Sequence, residues 1–83
     1  MEIEFDPAKD AANVEKHGVS LVRAADLDPL VYVEDDRFDE PRLRVYGVLD
    51  DLPHCLVVTV RADKIRVISL RRVHAKELRR YVR

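Results

Sequence analysis

The chain has two glycines, one cysteine and no tryptophan in 83 residues. A single cysteine, Cys55, excludes an internal disulfide. It precedes the apolar run Leu56-Val57-Val58 and reads as a buried neutral thiol, not a nucleophile. Two glycines, Gly18 and Gly47, are too few and too far apart for a phosphate-binding loop. No Cys/His cluster has zinc-ligand spacing. The acidic stretch 34–40 lacks the ordered oxygen-ligand spacing and the glycine of a calcium loop, so it reads as a solvated connection. No metal or cofactor is expected. No apolar run approaches the length of a membrane span and no signal-peptide pattern opens the chain, so a cytoplasmic location is expected.

What is present argues for a folded globule. Apolar residues make up 47% of the chain, enough for a core and too many for disorder. The length fits one domain spanning residues 1–83. It is near the lower limit for a self-sufficient core, so a partner is a reasonable source of added stability. The net charge of −1 conceals an asymmetry. Residues 1–60 hold six Lys/Arg and fourteen Asp/Glu; residues 61–83 hold nine and two. A basic quarter on an acidic body is the electrostatic footprint expected for RNA, and equally that of a solvated basic helix beside its own acidic surface.

The pattern predicts a short first strand over Ile3–Phe5, then a helix with Asp6 as N-cap and Pro7 as first residue. It runs to His17 and stops at Gly18. Ser20 caps a second short helix, with Val19 and Ala24 at the spacing of a hydrophobic staple and Asp28-Pro29 at its end. Four strands follow, at Leu30–Val33, Arg42–Leu49, His54–Val60 and Ile65–Leu70. The third reads apolar on both faces, as a central strand does. Short connections at 50–53 and 61–64 make these neighbours antiparallel. A last helix covers His74–Val82, with Ala75, Leu78 and Val82 toward the sheet and Lys76, Arg79, Arg80 and Arg83 outward. The expected class is α+β: two N-terminal helices and a C-terminal helix against a four-stranded antiparallel meander.

Two segments carry the functional signal: Lys16-His17-Gly18-Val19-Ser20, and Ile65-Arg66-Val67-Ile68-Ser69-Leu70-Arg71-Arg72. With Phe5-Asp6, Lys9, Asn13, Glu40, Arg42, Gly47, Glu77 and Tyr81 in this order, the chain resembles the BrnT toxins of type II toxin–antitoxin systems. Phe5 stands where that family often has Trp, and His74 where it often has a helix-capping Ser or Thr. The resemblance implies a RelE-like fold and a metal-independent endoribonuclease that inhibits translation and growth. It also implies a cognate antitoxin of the BrnA kind with a ribbon-helix-helix domain, a heterotetramer, and contact with operator DNA through the antitoxin alone.

In such a reaction the ribose 2′-OH attacks the adjacent phosphorus and the 5′-oxygen leaves, aided by proton transfer and by cations on the phosphorane. Arg71, at a strand end, is the first candidate for the cation, and Arg42 the second. An ion pair with the 34–40 connection is their bland alternative. His17 is the acid–base candidate; at a helix C-terminus the dipole should favour its charged form. The bland alternative is a structural histidine that satisfies the last carbonyls. Lys16 is a phosphate or transition-state contact or a solvated lysine. Glu77 and Tyr81 share a helix face. Either they serve the site, or Tyr81 packs on the sheet and Glu77 pairs with Arg80 or Lys76. Arg66, Arg72, Lys76, Arg79 and Arg80 are assigned to RNA-backbone binding. His54 and His74 have no motif behind them. The competing function is a non-catalytic module binding protein or nucleic acid through the basic face. A toxin that has lost its chemistry but still pairs with an antitoxin is a third.

Overall fold

The computed structural model describes residues 2–37 and 39–82. Arg83 lies outside the described residues. Its elements are β1 (Glu2–Glu4), α1 (Pro7–His17), a 3₁₀ helix (Leu21–Asp26), β2 (Asp28–Asp35), β3 (Arg42–Leu49), β4 (Leu52–Arg61), β5 (Lys64–Arg72) and α2 (Ala75–Tyr81). The sheet order is β1-β5-β4-β3-β2, which makes β4 the central strand as its two-faced apolar pattern predicts. β2 to β5 form the antiparallel meander, and β1 adds to it in parallel beside β5.

Local chemistry sets the helix ends. The Asp6 carboxylate accepts from the Ala8 N–H at 2.8 Å, and Pro7 starts α1 where no intrahelical donor is needed. Gly18 stops it in the left-handed region at φ 74°, its N–H donating to the Val14 carbonyl at 2.8 Å. Ser20 caps the next turn through Val22 N–H, and the Asp10 carboxylate accepts from both Ser20 Oγ and Leu21 N–H. The second helix is thus 3₁₀, and Asp28-Pro29 opens β2 instead of ending a helix.

Each face of the sheet has its own core. On one, Leu21, Ala24 and Leu27 of the 3₁₀ segment pack on Val45, Leu49, Leu56, Val58, Val67 and Leu70, with Phe5, Val19, Leu43 and Ile65 against them. On the other, Tyr46, Cys55 and Val73 meet Leu78 and Tyr81 of α2. α2 is therefore rotated from the expected orientation. Tyr81 takes an inward place, while Ala75 and Val82 are exposed. A phenol ring stacked on Tyr46 buries more apolar surface than an alanine or a terminal valine would.

Two register slips shape the functional end. Between Pro29 and Val31 on β2 the pairing shifts, so Leu30 has no partner on β3. Here the Asp28 carbonyl presses against Gly47, where a Cβ would collide with it. On β5, Ile68 has no partner: Val58 pairs with Val67 and Val57 with Ser69. That one extra residue lets Val67 and Leu70 both point into the first core and turns Arg71 to the α2 face. Among the described residues no strand covers the outer edge of β5 beyond Arg66, because β1 pairs with Lys64 to Arg66. α1 covers it instead. The buried Asn13 amide donates to the carbonyls of Leu70 and Val19, both at 2.8 Å, and its oxygen accepts from Leu70 N–H at 3.3 Å. Among the described residues no helix is long and apolar enough to cross a membrane.

Candidate active site

Strands β3 and β5 and helix α2 bring five polar side chains together over the second core. Arg71 on β5, Cys55 on β4 and Tyr46 on β3 stand in one row across the sheet. Arg44 is one same-face step away from Tyr46. From α2, Glu77 and Tyr81 reach down onto this row.

The side chains form one continuous chain of contacts. Arg71 Nη2 donates to Glu77 Oε2 at 3.0 Å. The Tyr46 hydroxyl donates to the same oxygen at 2.9 Å. Arg44 Nη1 donates to the Tyr46 hydroxyl at 2.9 Å and, more loosely, to the Tyr81 hydroxyl at 3.4 Å. The two tyrosine rings stack with centroids 4.7 Å apart at 16°. The Arg44 guanidinium carbon lies 5.7 Å from one centroid and 5.3 Å from the other. Behind it, Arg44 Nε is buried 3.9 Å from the Asp35 carboxylate and has no hydrogen-bond partner among the described residues.

This geometry sorts the protonation states. Burial pushes the Glu77 carboxyl up, but the hydrogen bonds from Arg71 and Tyr46 outweigh it and hold it below the usual range. The Tyr46 phenol is pushed well above its ordinary value by burial and by its bond to Glu77, so it remains a donor. The Tyr81 phenol moves the other way, lowered by the hydrogen bond and charge of Arg44. Beneath them the Cys55 thiol is raised by burial, as the sequence implied for a neutral thiol.

His17 and Lys16 sit at the end of α1, in a groove shared with Lys9, Asn13, Ile68 and Ser69. Expectation and structure differ on the charge of His17. The helix dipole should have favoured the cation, yet the pKa is lowered from 6.5, first by burial and then by the charges of Lys16 and Arg71. His17 is therefore a neutral imidazole at pH 7, electrostatically linked to Arg71.

The structure does not bring Arg42 into the cluster. It lies four residues before Tyr46 on β3, roughly 13 Å along the strand. There it lines a separate groove with Glu34, Asp36, Thr59 and Val60, and its charge helps to lower the Glu40 carboxyl. Arg44 stands nearer Arg71. The alternation along Arg42–Leu49 put Arg42, Arg44 and Tyr46 on one face but gave no way to rank them. The expected Glu77 pairing with Arg80 or Lys76 is replaced by Arg71 and Tyr46.

The basic residues form two groups. Lys76, Arg79 and Arg80 are exposed on α2, and exposed Arg72 borders a groove with His74 and Ala75 at the start of that helix. Arg66 is at the far end of β5, paired with Glu4 at 3.5 Å. His74 is exposed at the N-cap of α2 and makes no side-chain cap bond there. His54 is buried, a ring nitrogen 2.9 Å from the Leu52 carbonyl oxygen. No group of three or more His, Cys, Asp or Glu that could hold a metal ion occurs among the described residues.

Comparison with known proteins places this architecture. The crystal structure of the Brucella abortus ribonuclease toxin BrnT superposes with a TM-score of 0.67 at 25% identity, over 89% of this chain and 97% of that one. A search of curated proteins found no match. The family described as "Ribonuclease toxin, BrnT, of type II toxin-antitoxin system" matches residues 5–77. The match takes in both α1 and β5, whose residues carried the resemblance, and the chain belongs to the BrnT family of ribonuclease toxins of type II toxin–antitoxin systems.

Proposed function

We propose that this chain is a metal-independent endoribonuclease whose chemistry centres on Arg71. The observation that carries the reading is the contact chain from Arg71 through Glu77 and Tyr46 to Arg44 and Tyr81. It fixes two guanidinium groups and an eased phenol at the basic end of the molecule. The ribose 2′-oxygen forms a bond to the neighbouring phosphorus as the bond from phosphorus to the 5′-oxygen breaks. The products are a 2′,3′-cyclic phosphate and a free 5′-hydroxyl. Arg71 answers the charge that accumulates on the phosphorane oxygens, and Glu77 with Tyr46 keeps its fork aimed. Neutral His17 exchanges a proton with substrate at the α1 flank, and Lys16 adds a cation beside it. Arg72, Lys76, Arg79 and Arg80 hold flanking phosphates, with Arg42 and Arg66 as more distant contacts.

Membership of a type II system entails an RNA substrate and a cognate antitoxin. The finer picture is a ribbon-helix-helix antitoxin of the BrnA kind, bound as a heterotetramer that blocks growth inhibition and represses its own operon. It rests on family likeness.

The test is incubation of the purified chain with end-labelled RNA in EDTA, beside Arg71→Ala. Cleavage by wild type with cyclic-phosphate ends, and its loss in the variant, is the expected result. Equal cleavage by both removes Arg71 from the centre. No cleavage by either, with or without ribosomes, leaves a binding module.

A further inference from the structure

We propose that Tyr81 is the general acid for the leaving 5′-oxygen and that Arg44 is its positioning residue. This rests on the ribonuclease reading above and assigns roles within that site.

A departing alkoxide is a poor leaving group unless it receives a proton as the P–O bond breaks. The donor must be within reach, must face solvent or substrate, and must leave a conjugate base that its surroundings stabilise. Among the hydroxyls of the cluster only one fits. Tyr46 is fully buried and its proton is committed to Glu77. Tyr81 is half-buried, and its hydroxyl proton is given to no acceptor among the described residues. Its oxygen instead receives the Arg44 N–H, an arrangement that stabilises a phenolate.

Arg44 is held for this task from three sides. Both tyrosine rings lie beneath its guanidinium, the Tyr46 hydroxyl takes Nη1, and Asp35 stands behind Nε. Asp35 is itself fixed by Arg37 at 2.7 and 2.8 Å, so Arg44 has little freedom to turn away. The proton balance closes: His17 takes the 2′-OH proton, the phenol proton moves to O5′, the phenolate rests on Arg44, and exchange with solvent restores both groups.

The test uses two substrates. One is an RNA dinucleotide, whose alkoxide leaving group needs a proton. The other is uridine 3′-(p-nitrophenyl phosphate), whose leaving group does not. Arg44→Gln and Tyr81→Phe should each lower kcat on the dinucleotide by about 10²-fold, the usual scale for a general acid. Both should stay within about threefold of wild type on the aryl ester. Arg71→Ala should fail on both. An equal loss on both substrates for Arg44→Gln makes Arg44 structural and overturns the proposal. Unchanged turnover of the dinucleotide by Tyr81→Phe does so as well. Wild type inert on both substrates removes the ribonuclease reading itself, a different failure.

Discussion

The side-chain amide of Asn13 pairs with the backbone of Leu70 in both directions, as a neighbouring strand would. One residue of α1 thereby finishes the edge of β5 just before Arg71. Asn13→Ala strands a buried donor and a buried acceptor and should cost about 2–4 kcal/mol. Asn13→Asp, although nearly isosteric, should cost at least as much, because its oxygens would face two carbonyls. Urea unfolding of the two variants measures both. A milder loss in Asp than in Ala would contradict this account of the edge.

The lowered pKa of His17 has a kinetic signature. In the proposed role of proton acceptor it works only when neutral, so kcat/KM should rise with pH through a midpoint below 6.5. His17→Asn should remove that acidic limb and leave the rest of the profile. Lys16→Ala or Arg71→Ala takes away a neighbouring positive charge, so the His17 midpoint should move upward, which NMR titration of the imidazole follows directly.

Acid stability has a separate source. Asp35 is held down to about 2, first by the Arg37 side chain, and Glu40 to about 2, first by Arg61. Both folded values lie below the ordinary 3.8 and 4.5, so the unfolded chain binds more protons in that interval. The stability they contribute is complete above about pH 4.5 and is lost as the pH falls toward 2. Asp35→Asn and Glu40→Gln should each flatten the acid limb of a stability–pH curve. They should also shift the midpoint of acid unfolding less than they lower stability at pH 7.

The uncapped start of α2 can be repaired. His74 supplies no side-chain acceptor, and Glu77 three residues on is occupied by Arg71. His74→Ser adds an acceptor for an orphan N–H of the first turn and should stabilise the protein by about 0.5–1 kcal/mol. Thermal melts give the sign. Hydrogen exchange in residues 75–78 shows whether the gain is local.

Most elements were legible because their signals are local. Asp6-Pro7 and Gly18 bounded α1, and alternation along Arg42–Leu49 gave the limits and both faces of β3. What could not be read depends on long-range geometry. Nothing beside Leu30 or Ile68 marks an unpartnered residue, since a register slip exists only between two strands. The inward turn of Tyr81 needed Tyr46 to stack on, and the two are far apart in sequence. Arg71, Glu77 and Tyr81 could be named from the order of residues. Arg44 and Tyr46, which join them, became visible only when β3 and β5 were laid on either side of β4.

The unpartnered Ile68 acts on β5 as a frameshift acts on a message. Upstream of it the odd-numbered side chains Ile65 and Val67 are spoken to the core; downstream the even-numbered Leu70 is. Two syllables of one strand are thus read in opposite phase. Deleting Ile68 would restore plain alternation and leave Leu70 inward and Arg71 on the α2 face. Forcing Ile68 into the ladder instead would exchange inside for outside in every later word, drawing Arg71 in among Leu21 and Leu56 and sending Leu70 out beneath α2. The placing of Arg71 is therefore a matter of punctuation, written by a residue that has no partner on the neighbouring strand.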